Sequence, residues 1–178
     1  MTSRARTAVL LLTALMAVVA AVAVLLWLTD PVKNRTTIQG EPMTDAQAED
    51  QVLASARQIV SAAQLKDVTG GYAFVSCQNA TDPPYQATVY LNFRLLQDNS
   101  VKYLRDVGAS LVANGWVRAA STDEHFGEKL TRDGVTAIVH RSDDNTDFAT
   151  MRLYGECRNT ADHRHDNPAW KEVTDRLG

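Results

Sequence analysis

Cysteine is scarce in this sequence, two in 178 residues, as are proline, with five, and aromatic side chains, at 7%. Two cysteines exclude a disulfide-dense scaffold and a zinc module built on four thiolates. Nine glycines and five prolines exclude a collagen-like or low-complexity chain, and no internal repeat occurs. Positive charge is short as well: 18 Lys and Arg stand against 21 Asp and Glu. A general nucleic-acid binder is disfavoured, because phosphate neutralisation needs a basic surface. Missing too are a G-x-S-x-G elbow, a P-loop, a dinucleotide fingerprint, H-E-x-x-H and C-x-x-C. An enzyme on this chain would have to assemble its groups from distant positions.

What is present is unevenly distributed. Hydrophobic residues make up 45% of the chain, yet residues 1–28 alone hold 22 of them, with two charges, Arg4 and Arg6, and no acid. Without those two arginines the remaining 150 residues carry 16 basic and 21 acidic side chains, a net charge of −5. A part of that size can bury its own core.

Ala8 to Leu28 is interrupted only by Thr13, and as a helix it reaches about 31 Å, the thickness of a bilayer's hydrocarbon core. It is predicted to span a membrane, with Arg4 and Arg6 holding residues 1–7 in the cytoplasm. Trp27 suits an interfacial anchor and Asp30-Pro31 ends the helix. The rival reading is a signal peptide cut after Ala21-Val22-Ala23, which would leave Val24 to Leu28 as an apolar stub. Residues 29–43, with Pro31, Gly40 and Pro42, read as a linker with a typical reach of about 20 Å. Residues 44–178 follow as the extracytoplasmic domain.

Thr44 and Gln47 have the spacing of a capping box. Ala48, Val52, Ala56, Ile59 and Ala63, with Leu53 and Val60, form an apolar stripe that ends before Gly70-Gly71. Tyr72 to Cys77 reads as a strand, and after Asp82-Pro83-Pro84 the segment 86–95 alternates, with Ala87, Val89, Leu91, Phe93 and Leu95 inward. A second helix is expected from Asn99 or Ser100, with Val101, Leu104, Val107 and Leu111 as its stripe and Asn114-Gly115 as its stop. Trp116 begins a short extended piece, and strands follow at 128–131, 135–140 and 148–158, the first two joined at Asp133-Gly134. Asn167-Pro168 looks like the opening of a terminal helix. This order favours an α+β fold with helices on one face of a mainly antiparallel sheet.

Cys77 and Cys157 both fall in the part assigned to the oxidising side, where an even cysteine count reads as a disulfide. Two free thiols, or a nucleophile, are the alternatives. Asp143, Asn145 and Asp147 open like a calcium loop, but Phe148 and Tyr154 occupy the positions where glycine and glutamate belong. An acidic hairpin turn is the simpler reading. Asp162-His163-Arg164-His165-Asp166 is the one dense run of candidate metal ligands, in which two histidines two apart can converge with a carboxylate. The competing account is a solvated surface or a local hydrogen-bond network. His125 and His140 are isolated, as structural histidines usually are. Asn34-Arg35-Thr36 and Asn79-Ala80-Thr81 have the form of glycosylation sequons.

Phe74-Val75-Ser76-Cys77, Asp82-Pro83-Pro84-Tyr85, Asn114-Gly115-Trp116, Asp133-Gly134-Val135 and Gly155-Glu156-Cys157-Arg158-Asn159 with Asp162-His163 occur in that order. As a set, over residues 44–166, they resemble the small mycobacterial envelope lipoproteins of the LppJ type. The resemblance implies an actinobacterial envelope protein with a paired-cysteine domain, and brings no catalytic residue with it. The departure is the absence of a lipobox cysteine after the apolar segment, so a transmembrane anchor takes the place of acylation. The expected protein is a membrane-tethered binding module for an envelope protein, lipid or glycan, without cofactor or nucleic acid. The second expectation is an envelope hydrolase or metal-dependent enzyme using His163, His165, Asp162 and Asp166.

Overall fold

A computed structural model describes residues 40–79, 81–96, 100–119, 127–142 and 147–178. The apolar segment 8–28, the Ala21-Val22-Ala23 motif, Asn34, Asn99, His125 and Asp143 and Asn145 lie outside the described residues, as does most of the linker. Among the described residues no helix is long and apolar enough to cross a membrane.

Helix α1 spans Asp45–Ala62 and starts on the expected capping box. The Gln47 N–H donates to the Thr44 hydroxyl at 3.3 Å, and the Thr44 N–H donates to Gln47 Oε1 at 2.8 Å. Two backbone donors without intrahelical partners are thereby used, a device whose loss costs about 1 kcal/mol. Ala48, Val52, Leu53, Ala56 and Ile59 are buried as the stripe requires. The helix stops well before the glycines, which fall inside the first strand, β1 (Thr69–Ser76). Close approach explains them: a Cβ on Gly70 would stand 2.8 Å from Leu177 Cδ1, and one on Gly71 2.8 Å from Trp170 Cβ. The C-terminal segment thus touches both faces of β1.

Strand β2 (Tyr85–Arg94) is followed by helix α2 (Ser100–Ala113), then by strands β3 (Val117–Arg118), β4 (Gly127–Arg132), β5 (Val135–Arg141), β6 (Phe148–Tyr154) and β7 (Lys171–Glu172). The seven strands form one sheet in the order β3-β4-β5-β6-β2-β1-β7, with every pairing antiparallel. Asp133 and Gly134, at φ 48° and 78°, make the two-residue turn between β4 and β5 whose twist matches its strands. Register places Leu130, Ala137, Leu153, Val89 and Tyr72 in one row. All five are buried. With Leu91, Phe93, Val139 and Met151 they form the face on which both helices lie, an α+β sandwich of two layers. Each Val, Leu, Met or Phe side chain among them, fully buried, contributes about 1.5 to 3 kcal/mol.

Three expectations need correction. The α2 stripe runs through Tyr103, Val107 and Leu111, at a spacing of four, while Val101 is 66% exposed because it lies on the far side of the helix. The last long strand ends at Tyr154, and Gly155–Arg158 leaves the sheet. No helix opens at Asn167-Pro168: Asn167 Oδ1 accepts the Ala169 N–H at 2.9 Å in a turn, and the chain then stays extended because Lys171 and Glu172 pair with Tyr72 and Gly71. The only terminal helical turn among the described residues is a 3-10 segment, Thr174–Arg176. Thr88 points away from the helices as expected, yet is only 1% exposed.

Candidate functional site

The run Gly155 to Asp166 closes over one end of the sheet, and each residue from Gly155 to Asn159 meets a specific partner. The Gly155 N–H donates to the Ala87 carbonyl at 2.9 Å, and a Cβ there would lie 3.1 Å from Gln51 Oε1. Gln51 and Glu156 bond reciprocally, the Glu156 N–H to Gln51 Oε1 at 3.2 Å and Gln51 Nε2 to Glu156 Oε2 at 2.8 Å. Arg158 Nη2 donates to the same carboxylate at 2.7 Å, and its Nη1 to the Glu41 carbonyl at 3.1 Å. Cys157 is joined to Cys77 by a disulfide, with Cα atoms 6.1 Å apart and 80 residues of sequence between them.

Asn159 is fully buried. Its backbone exchanges two hydrogen bonds with Tyr85, at 2.7 and 3.1 Å. Its side-chain Nδ2 donates to Asp45 Oδ1 at 2.7 Å, and its Oδ1 accepts the Ala161 N–H at 2.9 Å. Asp45 is the first residue of α1, so the pair binds the loop to the helix's positive end.

His163 completes this clasp. Its side chain is 6% exposed, its ring stacks on Phe74 at 3.8 Å between centroids, and Tyr85 meets it edge-on at 4.9 Å. Nδ1 lies 2.8 Å from Asp166 Oδ2, while Nε2 faces Asn159 Oδ1 at 3.2 Å and Asp45 Oδ1 at 3.5 Å. A histidine oriented by a carboxylate is the first half of an acid–base array. Here the second nitrogen, which would face substrate, is turned onto Asn159.

The other candidate ligands do not join it. Asp162 is bound by Arg164, through Nε at 2.9 Å and Nη2 at 2.7 Å. Those bonds hold its carboxyl well below the usual carboxylate range. His165 is exposed. Among the described residues no group of three or more His, Cys, Asp or Glu side chains is arranged to hold a metal. Behind the clasp the Tyr72 hydroxyl is buried without a hydrogen-bond partner. Burial pushes its pKa up, and the nearby carboxylates of Glu49, Asp45 and Asp166 add to the shift.

The sequence marked His163 and Asp166 but missed Asp45, Phe74, Tyr85 and Asn159 as their surroundings. Asp45 and Asn159 are 114 positions apart, and no local spacing connects them.

Comparison with known proteins adds a family. The model of the family described as "Putative lipoprotein LppJ" matches residues 44–176. Proteins of the same description from two strains of Mycobacterium tuberculosis and from Mycobacterium bovis are 42% identical over 137 residues, 76% of this chain and 72% of each of theirs. No solved structure matches the chain.

Proposed function

The chain belongs to the LppJ family, and on that premise we propose that it is a membrane-anchored, extracytoplasmic protein of the cell envelope whose domain binds and does not catalyse. The mycobacterial relatives carry the name lipoprotein, which supports envelope association. This chain reaches the membrane differently. Its two cysteines are bonded to each other, so neither is free to carry an acyl chain. The apolar residues 8–28 serve as the anchor instead, with residues 1–7 in the cytoplasm, 29–43 as tether and 44–178 outside.

The observation that carries the binding reading is the state of His163. Both ring nitrogens have acceptors, one ring face lies on Phe74, and the side chain is almost fully covered. Within the one dense cluster of candidate catalytic or metal-binding residues, His163 and Asp166 are thus spent on holding the loop to α1, and Asp162 on Arg164. This weighs against the alternative of an envelope hydrolase or metal enzyme on His163, His165, Asp162 and Asp166.

Intact mass measurement of membrane-extracted chain tests the anchor: Met1 to Leu28 retained, no acyl mass, both thiols oxidised. A chain beginning near Val24, or one bearing an acyl mass, would overturn it. Incubation of the full chain with envelope extract tests the binding reading, which fails if no protein, glycan or lipid is retained above a control. Metal- or His163-dependent hydrolysis of an envelope component would replace it with the enzyme.

A further inference from the structure

We propose that the sheet face opposite the helices is the binding surface for an extended acidic polysaccharide, with Arg152 and Lys129 as its anion contacts and Tyr90 and Trp170 as its aromatic platform. This rests on the binding-module reading and specifies its partner.

Register aligns the surface. Lys129, Ile138, Arg152, Tyr90 and Gly71 are successive partners on β4, β5, β6, β2 and β1. At about 4.8 Å per strand the row is about 19 Å long. Trp170 extends it, lying across Gly71 with its ring 5.8 Å from that of Tyr90 and 43% of the residue exposed.

Charge on this face is one-sided. In a domain of net charge −5, the outward positions of these five strands hold Arg94, Lys129 and Arg152 and no acid. On β7, Glu172 is paired with Gly71 at the end of the row, and the backbone and hydroxyl of Thr174 hold its carboxylate in the ionised form, so the cationic stretch is confined to β4 to β6. Arg94 is paired with Asp67. The side chains of Arg152 and Lys129 have no hydrogen bond or ion pair among the described residues. An exposed guanidinium with a free fork takes a carboxylate or phosphate in two parallel bonds.

The surroundings favour a sugar polymer over a bilayer. A face that docks on lipid buries contiguous apolar side chains among the acyl chains, whereas those of this face are dispersed: the half-buried Ile138 in the row, Phe148 under Arg94, and Val75 toward the far end of β1. Around it stand hydroxyls and an amide: Thr131, Thr136, Thr150, Tyr154 and Asn92. Asn92 Oδ1 accepts the Thr150 hydroxyl at 2.9 Å, and the Asn92 amide donates to the Tyr90 hydroxyl, which leaves the Tyr90 proton free to be donated outward. Tyr and Trp supply rigid amphipathic contact at low entropic cost, and their flat faces match the C–H faces of pyranose rings.

The test uses the full chain in phosphatidylcholine nanodiscs, passed over immobilised polygalacturonate, phosphomannan and neutral dextran, and mixed with phosphatidylglycerol vesicles for flotation. Retention is expected on at least one acidic polymer, weakening with salt, and not on dextran. Arg152→Glu with Lys129→Glu is expected to lower it tenfold or more. Arg105→Glu, one such charge reversal on exposed α2, should change it less than twofold. No retention on either acidic polymer, equal retention on dextran, an equal loss with Arg105→Glu, or capture by the vesicles alone would overturn the proposal. Envelope material still retained by the charge-reversed chain would then leave the binding-module reading standing; no retained material would remove both.

Discussion

The clasp at the end of the sheet and the face opposite the helices are both rich in polar residues, and they use them in opposite ways. In the clasp, Gln51 with Glu156 and Asp45 with Asn159 are matched across more than 100 positions, His163 joins Asn159 to Asp166 locally, and Asn159 is fully buried. On the open face, Arg152 and Lys129 are matched to nothing among the described residues. Polar groups that satisfy one another inside the protein act on stability, because breaking one leaves its partner buried and unpaired. Exposed groups with no internal partner can be changed without that penalty, and their chemistry remains available to a ligand. The two regions should therefore respond oppositely to substitution.

The largest effect is expected at the covalent member of the clasp. Replacing Cys77 and Cys157 by Ser frees an 80-residue loop in the unfolded chain, which in the loop-entropy model costs about 4 to 5 kcal/mol. Denaturant titration of the two forms measures it. A loss under 1 kcal/mol would mean that the non-covalent contacts alone close the clasp. Asn159→Ala comes next, at about 1 to 2 kcal/mol, since it removes the hydrogen-bond partner of Asp45, His163 Nε2 and the Ala161 N–H at a part-buried site. Asp45, half-exposed, can recruit water in compensation.

The difference between the regions also governs what could be read from sequence. Helix α1 was legible because its capping box and stripe lie within a turn or two of each other, and the Asp133-Gly134 turn because two adjacent residues decide it. The sheet's inward face followed from alternation alone. The helix does end before Gly70-Gly71, but the strand expected from Tyr72 begins at Thr69, since a glycine that admits a neighbour looks the same in sequence as one that turns the chain. The Asn167-Pro168 signal was genuine as a local turn but lost to pairing with β1. Asp162, His163 and Asp166 were visible as a cluster, but their division into an Arg164 pair and a His163 clasp depends on Phe74, Tyr85 and Asp45, from three other parts of the chain. The open row is a product of register between four pairings, and no single segment contains it.

A smaller and pH-dependent effect belongs to Tyr72, behind the clasp. Its folded pKa is raised, first by burial, so its contribution is full below the unfolded tyrosine value of about 10 and is lost as pH rises above it, when the unfolded chain ionises and the folded one does not. Tyr72→Phe should flatten that alkaline loss. It should cost little at pH 7, because the hydroxyl has no partner to abandon. Thermal unfolding from pH 7 to 11 measures both, and parallel curves for the two proteins would contradict the assignment.

The smallest effect on stability is expected where the effect on binding is largest. Arg152→Glu with Lys129→Glu breaks no internal bond among the described residues, so unfolding free energy should change by no more than about 0.5 kcal/mol per site. The domain is already acidic, so the two reversals add like charge to a net-negative protein, and locally they exchange the repulsion of two cations two strands apart for that of two anions. The first effect is screened by salt and the second is nearly unchanged, which leaves a near-neutral variant suited to isolating ligand contact from folding. Equal denaturation midpoints at low and high salt, measured beside the retention assay, would confirm the separation. A loss comparable to that of Asn159→Ala would mean that the open face also holds the fold together, and the contrast between the two regions would collapse.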